Sequence, residues 1–164
     1  MPILIREASH DSEVAAARLL MRDYGDYLAH SPSGAASICL TNYEQELQQL
    51  PAGYAVILLA TVDDEPAGCV ALRELDRQPP SCEMKRLWVG ANFRGLGLGR
   101  RLIEEAIEWA SSRGFDLMYL DTVPAAMPEA VRLYTSLGFV PVERYNQNPV
   151  DGLAFFAKRI SDNV

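Results

Sequence analysis

The chain has 164 residues, 49% of them apolar and 23% charged, with a formal net charge of −7. That length buries one sizeable core, and the composition is ordinary globular usage, which excludes disordered, collagen-like and low-complexity classes. The acidic balance argues against non-specific nucleic-acid binding and against an anionic membrane surface, while suiting either a cationic substrate or plain solubility.

The first residues, Met1 to Arg6, have no basic stretch followed by a long apolar core, so the expected address is the cytoplasm. Ile3 to Glu7 reads as a strand. Ser9 or Asp11 is the expected cap of a helix with Val14, Ala17, Met21, Tyr24 and Leu28 on one face. Ser31 to Gly34 breaks that helix. Thr41 and Glu44 have capping-box spacing and open a short helix that ends by Gly53. Tyr54 to Val62 and Ala67 to Leu75 read as a hairpin about the turn 63–66, and Cys82 to Val89 as a further strand.

A Gly-rich turn then opens an amphipathic helix with Leu102, Ile103, Ala106, Ile107 and Ala110 on one side and Gly114 as its stop. Phe115 to Val123 reads as a strand. Pro128 suits the first turn of a helix that Gly138 ends. Phe139 to Tyr145 and Gly152 to Ile160 complete the strands. No repeat or linker interrupts the chain, so 1–164 is expected to form one domain around a mixed α/β sheet. The cysteines, Cys39, Cys69 and Cys82, include no CxxC pair; no metal site or disulfide framework is expected, and buried small residues are the simpler reading.

The informative segment is Arg94-Gly95-Leu96-Gly97-Leu98-Gly99-Arg100-Arg101. It follows a strand and opens a helix. Glycines let the main chain approach a ligand, and a helix N-terminus offers unpaired N–H groups and partial positive charge. The turn therefore suits a phosphate. It fits neither the dinucleotide GxGxxG fingerprint nor the Walker pattern. A glycine turn serving only the chain path is the alternative.

Arg94-x-x-Gly97-x-Gly99 matches the R/Q-x-x-G-x-G/A signature and resembles the GNAT superfamily of acetyl-CoA-dependent N-acyltransferases. Glu83 to Val89 resembles the strand before that signature. Ala130 to Phe139, with Leu133-Tyr134 and Leu137-Gly138-Phe139, resembles the family's later "A…LY…LGF" segment. The resemblance runs from about Ala67 to the C-terminus. It implies a GNAT-like, mostly antiparallel central sheet flanked by helices, with a splayed strand pair at the CoA site. It implies that Gly95, Leu96, Gly97, Leu98, Gly99 and Arg100, with Arg94, bind the pyrophosphate of acetyl-CoA. The main chain around Trp88, at Leu87 and Val89, would pair with the pantetheine arm. Met127 stands where many family members carry Asn.

The resemblance further implies acetyl transfer to a primary amine of a small molecule or peptide, in a ternary complex without metal. Such chemistry needs a base for the ammonium and a donor for the leaving thiolate. No Ser/His/Asp or Cys/His arrangement stands out; His10 and His30 both lie in the first segment. Glu83 is the candidate base, read alternatively as a salt-bridged strand carboxylate beside Lys85 and Arg86. Tyr134 is the candidate acid, read alternatively as a core aromatic. Tyr24, Tyr27, Glu44, Tyr145 and Asn148 are candidate acceptor contacts. Nucleic acid and membrane are not expected partners; a homodimer is an open arrangement. The alternative function is a non-catalytic acyl-CoA-binding sensor or interaction module.

Overall fold

The computed structural model describes residues 1–31 and 40–161, leaving aside the side chains of residues 40 and 41. Most of the loop expected at 31–34, Cys39 and the Thr41 side chain therefore lie outside the described residues. The elements in chain order are β1 (Ile3–Glu7), α1 (Asp11–His30), α2 (Leu40–Gln49), β2 (Val56–Val62), β3 (Glu65–Leu75), β4 (Ser81–Val89), α3 (Leu98–Ser112), β5 (Leu117–Thr122), α4 (Pro128–Ser136), β6 (Val140–Val142) and β7 (Ala154–Arg159), with a short 3₁₀ turn at Ala91–Phe93.

The strands form one seven-stranded sheet in the order β1-β2-β3-β4-β5-β7-β6. Every neighbouring pair is antiparallel except β4 with β5. This is the mixed, mostly antiparallel sheet flanked by helices that the resemblance implied. Alternation along the strands divides the core in two. Leu58, Val70, Leu72 and Met84 pack with Leu102, Ile103 and Ala106 of α3. Ile57, Leu59, Cys69 and Ala71 pack with Val14, Ala17 and Met21 of α1 and Leu47 of α2.

One irregularity positions everything that follows. The β3–β4 register runs from Ala71↔Lys85 to Cys69↔Trp88, so β4 holds one residue more than its partner. The bulge falls at Arg86, whose φ of 62° is left-handed. A non-glycine residue there costs roughly 1–2 kcal/mol, and the extra residue reverses the alternation of the strand. Met84 thus faces α3, whereas Trp88 joins the core under α1. Just before the bulge β4 also leaves β5: the two pair only at Ser81 to Glu83 against Leu117 to Tyr119, although both continue further. The splayed pair is present.

Several local expectations need correction. The α1 cap is neither Ser9 nor Asp11: His10 occupies the cap position, and the Glu13 carboxylate accepts from the His10 N–H at 3.0 Å and the Ser9 N–H at 3.3 Å. The last two strands are shorter than their apolar runs suggest. Asn146 Oδ1 accepts from the Asn148 N–H and Asn148 Oδ1 from the Val150 N–H, each at 3.1 Å. These side chains compete with sheet pairing and fold 143–153 into a compact loop.

Candidate active site

A groove of about 540 Å³ opens where β4 leaves β5. Leu87, Trp88 and Val89 form one wall, the turn from Arg94 to Arg100 its end, and Met127 to Leu133 the facing wall. The turn is shaped by Gly95 and Gly97, with φ of 85° and 76°. Gly97 is the α3 cap, and a Cβ added there would meet nothing within 4 Å. The first intrahelical bond of α3 is Arg101 N–H to Gly97 C=O at 3.2 Å. The N–H groups of Leu98, Gly99 and Arg100 are therefore left for a ligand. Gly99 fits close to Leu133 of α4, whose Cδ2 would lie 3.2 Å from an added Cβ.

The flanking side chains suit an anion at this end. Arg94 donates to Val89 C=O at 3.3 Å and stacks over Trp88 with its guanidinium carbon 5.0 Å from the ring centre. Arg100 donates to Ser136 Oγ at 2.9 Å. Leu98 borders the groove with its side chain packed inward, and Leu96 turns away to pack near Val62, Ala67 and Leu98, so only main chain of Leu96 belongs to the turn. Trp88 lines the groove and packs against the rings of Tyr24 and Tyr27, at 5.7 and 5.3 Å, and among the described residues its buried Nε1 has no partner. Main-chain donors at a helix start, flanking arginines and an unpaired strand edge together fit a long ligand with a phosphate end, as CoA has.

Two smaller cavities, of about 40 and 50 Å³, lie deeper, and Met127 lines both of them and the groove. Tyr134 lines the first, beside Tyr24, Leu87 and Thr122. Burial pushes the Tyr134 phenol well above its ordinary range, with Tyr24 and Asp121 adding to the effect. It stays protonated at physiological pH. Lys85, Arg86 and Asp121 line both small cavities.

Asp121 is the residue that the sequence reading missed. Its Oδ2 accepts from Asn146 Nδ2 at 2.7 Å and Asn148 Nδ2 at 3.3 Å. Asn146 Nδ2 also reaches Glu83 Oε2 at 3.3 Å, and Tyr145 donates to the same oxygen at 2.5 Å. Glu83 is 3% exposed and lines none of the three cavities. Its other oxygen lies 3.9 Å from Lys85 Nζ. Asn146 thus links Glu83 to Asp121, and Asp121 shares a cavity wall with Tyr134. The only signal for Asp121 in the sequence is a carboxylate inside an apolar strand, which reads equally well as a strand end.

Arg86 is held from the other side. Its Nε and one terminal nitrogen donate to the two Glu46 oxygens, both at 3.1 Å, and Tyr54 donates to Glu46 at 2.7 Å. The guanidinium lies over the Tyr43 ring. Burial alone would raise the Glu46 carboxyl, but the bonds and charge of Arg86 hold it below the ordinary value. Among the other expected acceptor contacts, Tyr24 and Asn148 line the small cavities and Tyr27 the groove, its hydroxyl donating to Ala126 C=O at 3.3 Å. Glu44 does not join them: it pairs with Arg22 at 2.8 Å on an exposed surface. Burial raises the Cys69 and Cys82 thiols to about 12, which suits packing and not nucleophilic attack. Among the described residues no group of three His, Cys, Asp or Glu could hold a metal, and no helix is long and apolar enough to cross a membrane.

The chain is similar to known proteins in sequence and in fold. An uncharacterised N-acetyltransferase of Schizosaccharomyces pombe is 42% identical over 94 residues, 57% of this chain and 56% of that protein. The chain therefore spans about half the length of this curated relative. A GNAT-family acetyltransferase of Staphylococcus aureus superposes with a TM-score of 0.76 at 18% identity, covering 98% of this chain and 100% of the other. An acetyltransferase of Salmonella typhimurium, solved with its cofactor acetyl-CoA, gives 0.70 at 19% identity over 100% and 97%. These structures share the fold. The acetyltransferase (GNAT) family profile matches residues 16–139, and the chain belongs to that family.

Proposed function

We propose that the protein transfers the acetyl group of acetyl-CoA to a primary amine. The observation that carries this reading is that the groove and the small cavity that Tyr134 and Asp121 line adjoin, with Leu87 and Met127 in the walls of both. A cofactor arm along β4 would bring its acyl end to that junction. The Salmonella typhimurium neighbour, which carries acetyl-CoA, supports the choice of cofactor.

The N–H groups of α3, with Arg94 and Arg100, hold the pyrophosphate, and the Leu87 and Val89 main chain pairs with the pantetheine arm. Acetyl-CoA supplies an activated acyl carbon and a thiolate leaving group. Asp121, on the cavity wall, holds the acceptor ammonium and draws its proton. Glu83 stands behind it and shares Asn146, so the two carboxylates act as a pair. The carbon–nitrogen bond forms as the carbon–sulfur bond breaks. An ammonium loses two protons on becoming an amide: one ends on the thiol, the other leaves through the carboxylate pair.

Tyr134 faces the sulfur in this arrangement. A phenol raised by burial is a far weaker acid than a thiol of pKa about 8.5. Its part is to donate a hydrogen bond to the developing thiolate, with the final proton coming from the amine side. Such a donor acts mainly in the transition state. The test is release of free thiol from acetyl-CoA in the presence of an amine panel. Acetyl-CoA binding without turnover over the whole panel would favour a sensor, and no binding would remove the reading.

A further inference from the structure

We infer that the acceptor is a small zwitterionic amino acid, its ammonium at Asp121 and its carboxylate at Lys85; the inference rests on the acetyltransferase reading. The net charge of the chain suits a cation, but the small cavities do not repeat that charge. Their charged lining is Lys85, Arg86 and Asp121, two cations and one carboxylate. Arg86 is balanced by two bonds to Glu46. Lys85 is not balanced in this way. Its nearest carboxylate oxygen among the described residues is Glu83 Oε1 at 3.9 Å, beyond hydrogen-bond length, and the Tyr145 and Asn146 donors engage the other Glu83 oxygen.

Lys85 is 13% exposed at its side chain and lines both small cavities. Asp121 shows the converse. Its partners are the neutral amides of Asn146 and Asn148, and no cation lies within 4 Å among the described residues. A half-buried charge without a full partner carries a desolvation cost, and a ligand bearing both opposite charges relieves both groups at once. A polyamine would bring further cations against Lys85 and Arg86. A peptide N-terminus would offer a neutral amide where Lys85 presents its charge. The size agrees: cavities of about 40 and 50 Å³ take a few non-hydrogen atoms each, since one water needs roughly 10–15 Å³ on this measure. A larger side chain has a way out, because Asn148 and Leu153 line both the second cavity and an open pocket over the 144–153 loop.

The experiment measures thiol release with a set of α-amino acids, each beside its own carboxamide and its decarboxylated amine. The carboxamide amine is the less basic and so the more reactive at neutral pH, so a preference for the acid must come from the site. The best acid should exceed both analogues in kcat/KM by about 10-fold or more. Lys85→Met should shrink that preference to about 2-fold or less, chiefly through KM for the acid, and Lys85→Arg should retain most of it. Equal or better use of the amide or amine overturns the inference and leaves the acetyltransferase reading standing, as does a preference that survives in Lys85→Met. No turnover with any amine overturns both. Should Lys85→Met fail to fold, the wild-type ratios and Lys85→Arg still decide.

Discussion

The long groove along β4 and the two small cavities beside it are built in different ways. The groove is mainly the work of one stretch of main chain, from Leu87 to Arg100, closed by the start of α4. The cavities are the work of side chains from α1, β4, β5, α4 and the 143–153 loop. The first offers N–H groups and a strand edge, a requirement written in glycines at every second position, Gly95, Gly97 and Gly99. The second offers charges that only the folded sheet brings together.

Four changes would sharpen or break that contrast. Tyr134→Phe keeps the ring against Phe139, 5.9 Å away, and removes only the hydroxyl. Turnover should fall roughly 10²-fold or more while acetyl-CoA affinity stays within about 2-fold, as expected for a positioned donor. Wild-type turnover would return Tyr134 to the core. Asp121→Asn comes next, with a loss of about 10²-fold near neutral pH that narrows as pH rises and the amine loses its proton unaided. A pH-independent loss would make Asp121 a binding group alone. Glu83→Gln should act in the same direction but more weakly, roughly 10-fold, because Glu83 stands one amide behind the cavity.

The smallest effect should be on stability and not on chemistry. Glu46→Gln removes a charged partner from Arg86 and should cost about 2 kcal/mol, or a fall in Tm of about 4–8 °C at this chain length. The folded Glu46 carboxyl is held below its ordinary value, so the stability it adds is present above about pH 4.3 and is lost as pH falls through the folded value. Wild type and Glu46→Gln should therefore converge in acid, as unfolding curves at several pH values would reveal. A constant gap would mean that shape, not charge, holds the bulge.

The parts of the fold legible in the sequence are those fixed by one residue or one period. A Gly-rich turn opens α3, Gly114 and Gly138 follow their helices at φ of 86° and 94°, and Pro128 opens α4, all as read from the chain. The apolar runs bounded by turns gave seven strands. What was not legible depends on partners distant in sequence. Nothing near Arg86 announces a bulge; the residue that pairs with it, Glu46, is forty positions away. Asp121 reads as an ordinary strand residue until Asn146 and Asn148 turn onto it. The asparagine side chains also bond main-chain N–H groups of the loop between β6 and β7, and both strands are shorter than their apolar runs. Net charge, a sum over the surface, says little about three groups in a cavity.

The central claim is that acetyl-CoA lies along β4 with its pyrophosphate at the start of α3, and a thermal-shift measurement tests it most directly. At about one hundred times its dissociation constant a ligand of the folded state adds about 2.7 kcal/mol, which for a chain of this length is a rise in Tm of about 5–10 °C. Gly97→Asp should fold, because Asp tolerates left-handed backbone better than most residues and an added Cβ at Gly97 has open space. It should show no rise at the same acetyl-CoA concentration, because its carboxylate would oppose the phosphates. A rise in wild type that vanishes in Gly97→Asp is the predicted result; a folded wild type that does not respond, or a variant that responds equally, would contradict the account.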